Sequence, residues 1–193
     1  MEVLFHFIFQ LFKISIQASI YAYLLILIIV FIGKFKNNQK IQKLKKNKKK
    51  YWFVFGFIIS QCLLLFSFTY WGNHGLGDGP IIPIGHWKKI ENTNWEDVGY
   101  LNNIRSSDNH DIHTTRFLVQ NGKLCGNLED WFYKYKNKYF ILDLSSSEML
   151  EFKSENDYNK YAMKNNLPKS ENLLSFSKNY RNYWGGFRFW LLP

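Results

Sequence analysis

Cysteine is scarce, with Cys62 and Cys125 the only two in a chain of 193 residues, so a disulfide framework is excluded. Cys62 falls in an apolar run and Cys125 in a polar stretch, where the two are not expected to meet. Acid is missing altogether from Lys34–Lys50, which carries nine lysines: Lys34, Lys36, Lys40, Lys43, Lys45, Lys46, Lys48, Lys49 and Lys50. No His-Glu-x-x-His pair, nucleophile elbow or internal repeat occurs, which removes the familiar signatures of a zinc protease or a serine hydrolase.

The formal charge of +10 is local rather than general. From Trp71 to Pro193 there are 15 Lys+Arg against 14 Asp+Glu, so the larger part of the chain is almost neutral and nucleic acid is not an expected partner. Lysines packed beside apolar runs point instead to anionic lipid headgroups.

Those runs flank the lysines. Ile14–Gly33 and Tyr51–Tyr70 each give 20 uncharged residues, enough at 1.5 Å rise per residue to cross a hydrocarbon layer of about 30 Å. Tyr51 and Trp52 at one end of the second run, with Tyr70 and Trp71 at the other, match the aromatic belts of a membrane helix. The first run has no small-residue cleavage site after it and reads as an uncleaved anchor. The excess of lysine then places loop 34–50 in the cytoplasm, with both termini and residues 72–193 outside. Ahead of the first span, Glu2, His6, Gln10, Lys13 and Gln17 share one helical face; Val3–Phe12 is read as an interfacial segment, the alternatives being a polar seam for a partner helix or an early start to the span. Mid-span, Gln61 seeks a hydrogen bond from the first helix or from a second copy, which makes a homo-oligomer possible.

The remainder predicts an α+β domain. Residues 72–80 are a glycine-rich linker, lacking the strand before and helix after that a phosphate-binding loop needs. Ile81–Ile90 is β-type, with Pro83 confining it to an edge or to a strand's beginning, and Val98–Ile104 is a second strand. Asn121-Gly122 marks a hairpin between Thr115–Val119 and Lys123–Leu128. Trp131–Tyr135, Tyr139–Leu144 and Met149–Phe152 continue an antiparallel meander. A helix is expected over Glu155–Asn165 behind Ser154, a second over Glu171–Tyr183 behind Ser170, and a terminal strand over Phe187–Leu192 that seals the sheet or rests near the bilayer interface. The expected division is 1–71 membrane hairpin and 81–193 extracytoplasmic domain.

Chemistry is sparse. Asp108, His110, Asp111 and His113 offer four metal-ligand types within six residues, yet neither a strand nor a helix converges all four, so a divalent metal would need a ligand such as His74 or His86 from elsewhere. Glu129-Asp130 beside Trp131 resembles the acid pairs of carbohydrate sites, but adjacency does not set the separation between carboxyls. Trp87, Trp95 and Trp131 offer stacking platforms for a glycan, although such rings commonly serve cores and interfaces. The expected function is a noncatalytic membrane protein presenting a binding domain to an envelope protein or glycan, with no cofactor. The competing readings are a metal-assisted envelope hydrolase and an immunity-type membrane protein.

Overall fold

The 20 uncharged residues of the first run sit inside a longer helix: α1 runs without a break from Glu2 to Ile32. The computed structural model describes residues 2–34, 39–72, 79–93, 96–129 and 134–193, and divides into two units, Met1–Leu76 with Phe187–Pro193, and Gly77–Gly186. Val3–Phe12 and the first span are one continuous helix, because nothing in that stretch interrupts it.

In the first unit, α2 (Gln39–Lys46) and α3 (Lys48–Ser67) follow α1. Ile14, Ala18, Ala22 and Ile26 recur every four residues and form the buried stripe of α1. Small side chains let helices approach: a Cβ built on Gly56 of α3 would lie 3.9 Å from that of Ala22. Trp52 Nε1 donates to the Ser19 carbonyl at 3.1 Å. Elsewhere both helices turn apolar side chains outward, with only 28% of the most apolar stretch of α1 and 6% of that of α3 buried. Both are long and apolar enough to cross a bilayer. Ser15 and Ser60 return their hydroxyls to the helix carbonyls of Leu11 and Phe57, which removes exposed donors from the apolar surface.

The second unit holds two antiparallel sheets, β1 (Ile81–Gly85), β2 (Lys88–Asn92), β3 (Gly99–Arg105) and β4 (Asp111–Thr114) in that order, then β8-β7-β6-β5-β9. In the second sheet β5 is Arg116–Gln120, β6 Lys123–Asn127, β7 Tyr139–Asp143, β8 Met149–Phe152 and β9 Leu174–Ser175. The expected hairpin between β5 and β6 is present. Pro83 lies in the edge strand β1, and Asn121 and Gly122 take positive φ of 52° and 71° in the two-residue turn between β5 and β6. Ile90, Leu101, Ile112, Leu124, Phe140 and Leu142 join the inner faces of both sheets in one core. On the opposite face of the second sheet, Cys125 and Ile141 pack with Tyr158 and Ala162 of α4 (Glu155–Lys164). Covered on both faces, β7 reads as the unbroken apolar run Phe140-Ile141-Leu142 instead of alternating.

Three expectations change. The single expected sheet is two: β1–β4 form one of their own, while the described strands of the expected meander stay together as β5–β8 in the other, because β4 pairs with β3 and β5 with β6. The second helix starts later than Glu171: Ser170–Asn172 is a single 3-10 turn, Leu174 and Ser175 pair with β5, and α5 spans Phe176–Trp184 behind Ser175, whose hydroxyl accepts from the Lys178 N–H. The tail Phe187–Leu191 is a helix, α6, not a strand, and belongs with α1 in the first unit. Most of the expected strand Trp131–Tyr135, and most of the glycine-rich linker, lie outside the described residues.

Candidate functional site

Glu129 and Glu155 are the two carboxylates that the second unit holds most firmly at one cleft. The cleft has a volume of about 1220 Å³, and Val98, Tyr139 and Leu173 give it an apolar part. Glu129 follows β6 and receives Thr115 Oγ1 at 2.9 Å and Asn127 Nδ2 at 2.8 Å. Asn127 is itself fixed, because its Oδ1 accepts from the backbone N–H groups of Thr115 and Arg116 at 3.1 and 2.8 Å and from Thr114 Oγ1 at 3.0 Å. One amide thus closes the β4–β5 corner and aims a carboxylate. At the other wall, Glu155 in the first turn of α4 accepts from Ser170 Oγ, and Asn159 brackets the same serine, donating to its Oγ at 3.0 Å and accepting from its N–H at 2.9 Å.

Glu96, Asp97 and Glu171 add three carboxylates to the lining, against the guanidinium of Arg116. The surplus of negative charge is felt by Tyr139: burial raises its phenol above the ordinary value, Glu155 adds to the rise, and Arg116 opposes it. Tyr139 therefore stays protonated through neutral pH. The cleft presents preoriented acceptors, a phenol and one cation, and is suited to a ligand rich in hydrogen-bond donors that carries positive charge.

Of these residues only Glu129 was singled out by the sequence, through its neighbour Asp130, which lies outside the described residues. The other lining groups come from loops and element ends distant in the chain, and no local spacing marks them. Trp95, beside Glu96 in the sequence, and Trp131, beside Asp130, also lie outside the described residues, as does Lys36. Trp87 is 73% exposed at the β1–β2 turn, where it and His86 take φ of 60° and 50°. Bulky residues rarely adopt that conformation, so the hairpin spends conformational energy to hold an indole outward.

Tyr135 borders three of the four residues of the expected metal cluster: its hydroxyl donates to the Asp111 carbonyl at 2.6 Å and accepts from the His113 N–H at 3.2 Å, and its ring faces His110. Asp108 accepts from the Lys136 N–H at 2.8 Å and ion-pairs with its Nζ at 3.1 Å, and these contacts hold its carboxyl below the usual range. Asp111 faces Arg105 Nε at 4.0 Å, His113 meets the Tyr100 ring edge-on at 4.7 Å, and His110 lies 6.2 Å from the Tyr135 ring. Among the described residues no three His, Cys, Asp or Glu side chains come together as a metal site.

From Gln39 on, the lysine stretch is helical instead of a loop. Lys40, Lys43, Lys45 and Lys46 are exposed on α2, whose Leu44 is buried, and Lys48, Lys49 and Lys50 open α3 with no acid beside them. Lys34 is exposed after the end of α1, and Gln61 is exposed along α3. Three cations at a helix N-terminus oppose its dipole, which an anionic surface would relieve.

Comparison with family models, with curated proteins and with solved structures finds no match to this chain.

Proposed function

We propose that this protein is a membrane-anchored binding protein. In this reading α1 and α3 span the bilayer, Lys34–Lys50 lies against anionic headgroups on the cytoplasmic side, and Gly77–Gly186 stands outside and captures a basic segment of an envelope protein in its acidic cleft. The observation that carries the binding role is the pair Glu129 and Glu155, the first oriented by a hydroxyl and an amide and the second by a hydroxyl, in a cleft where five carboxylates face one arginine. Fixed acceptors lose little freedom when a donor arrives, which favours recognition of Lys or Arg side chains. The anchoring role is supported by the length and outward apolar surface of α1 and α3.

The test is titration of the full chain in lipid nanodiscs with a short lysine- and arginine-containing peptide. Binding that weakens with salt is expected, and Glu129→Gln with Glu155→Gln should weaken it roughly tenfold, about 1.4 kcal/mol. Unchanged binding by the double variant removes the cleft from the account. A neutral oligosaccharide that binds where the peptide does not would replace the basic segment with a glycan.

A further inference from the structure

The last residues of the chain carry an arrangement that neither the cleft nor the spans require. Gly185-Gly186, the latter at φ 60°, ends α5, and the chain rejoins the first unit as α6. A helix leaves its final carbonyls without intrahelical donors, and in water the solvent supplies them. Here α1 supplies them: Gln17 Nε2 donates to the carbonyls of Trp190 and Leu192, both at 2.9 Å, and Tyr21 OH donates to that of Leu191 at 2.7 Å. Lys13 Nζ lies 4.6 Å from the centre of the Phe189 ring. Lys13 and Gln17 of the polar seam of α1 thus face a helix of this same chain.

The outward side of α6 is aromatic. Phe187 and Trp190 are 84% and 72% exposed, and Leu191 is exposed beside them. This surface belongs to the same unit as the exposed Phe5, Phe9, Phe12 and Ile16 of α1. Backbone acceptors satisfied from within, combined with outward amphipathic rings, is what the headgroup boundary of a bilayer demands of a short helix. We infer that α6 is a third membrane element, an interfacial anchor clasped to α1 by Gln17 and Tyr21 and covered by lipid. The inference rests on α1 being a membrane helix, and it means that Gly77–Gly186 is tethered to the membrane at both ends.

The test uses the full chain with Cys62→Ser and a bimane label at Trp190→Cys or, as control, Trp87→Cys, in vesicles of phosphatidylethanolamine and phosphatidylglycerol. The label at 190 is expected to be quenched by a nitroxide lipid and shielded from aqueous iodide, and the label at 87 to behave in the opposite way. Gln17→Leu should move the 190 label toward iodide access while the protein stays in the membrane pellet after carbonate extraction. An iodide-accessible 190 label in a carbonate-resistant protein overturns this inference alone. Shielding without nitroxide quenching overturns it in favour of a protein cover such as a second copy. Release of the unsubstituted chain by carbonate removes the anchoring reading and this inference with it.

Discussion

Asp108 is bound at both oxygens by one residue, Lys136, through the backbone N–H at 2.8 Å and the ammonium at 3.1 Å. Its side chain is 8% exposed, so the most acidic-looking position of the histidine-rich stretch acts as a clamp between the β3–β4 loop and the segment before β7. Glu151 of β8 holds the same loop from the other side, accepting from Ser107 N and Oγ at 2.6 and 2.7 Å.

A clamp and a metal ligand respond differently to substitution. Asp108→Asn removes the ion pair and is expected to lower the stability of the domain. Chelator should leave the thermal unfolding of the original chain unchanged. Calorimetry with and without chelator checks both, and a chelator-sensitive transition would favour the metal reading over the clamp.

The buried thiol predicts a kinetic signature. Cys125 is fully buried on the α4 side of the second sheet, and burial pushes its thiol up to about 11. In a Cys62→Ser background a thiol reagent at neutral pH should react only as fast as the domain opens, accelerating with denaturant. Prompt stoichiometric labelling without denaturant would contradict the packing.

Much of the second sheet was legible because its signals are local. Asn121-Gly122 can take the positive φ that a two-residue turn needs, and Ser154 accepts from the Asp157 N–H three residues on, as the start of α4 requires. The start of α5 was not legible. Ser170 and Ser175 are equally good caps in isolation, and the choice between them is made by the pairing of Leu174 with Phe117 far back in the chain. The tail misled for the same reason. Phe187-Arg188-Phe189 alternates like a strand, yet its conformation is set alongside Gln17 and Tyr21, more than 150 residues earlier. The cleft is assembled from loops and element ends, so only Glu129 carried a sequence cue.

Gly126 is the tightest glycine of the second sheet. A Cβ there would lie 2.7 and 2.9 Å from ring atoms of Phe140 and 3.0 Å from Thr114 Oγ1. Gly126→Ala is expected to lower stability by about 1–3 kcal/mol through overpacking, although its backbone conformation suits any residue. Gly122→Ala has open space and fails for the other reason, positive φ, at about 1 kcal/mol. Urea melts of the two variants check the order.

Acid should weaken the β6–β7 pair. Asp143 accepts from Lys123 at 2.8 Å and from the hydroxyl and N–H of Ser145, and these bonds hold its pKa below the unfolded value of about 3.9. A depressed folded pKa contributes stability that is complete above the unfolded value and is lost as pH falls through the folded one. Unfolding measured from neutral pH downward should therefore show a stability loss below about pH 4 that Asp143→Asn reduces. An unaltered acid slope would exclude this pair as a contributor.

The central claim is tested most directly by a membrane-impermeant maleimide on intact cells. Two otherwise unchanged chains would carry Asn121→Cys, at the β5–β6 turn, or Lys45→Cys, in α2, with Cys62→Ser in both and Cys125 left in its buried place. Labelling of the first in intact cells, and of the second only after lysis, is the predicted result and puts the acidic cleft outside the membrane. Labelling of the second in intact cells, with the first protected until lysis, would place the domain in the cytoplasm and contradict the account.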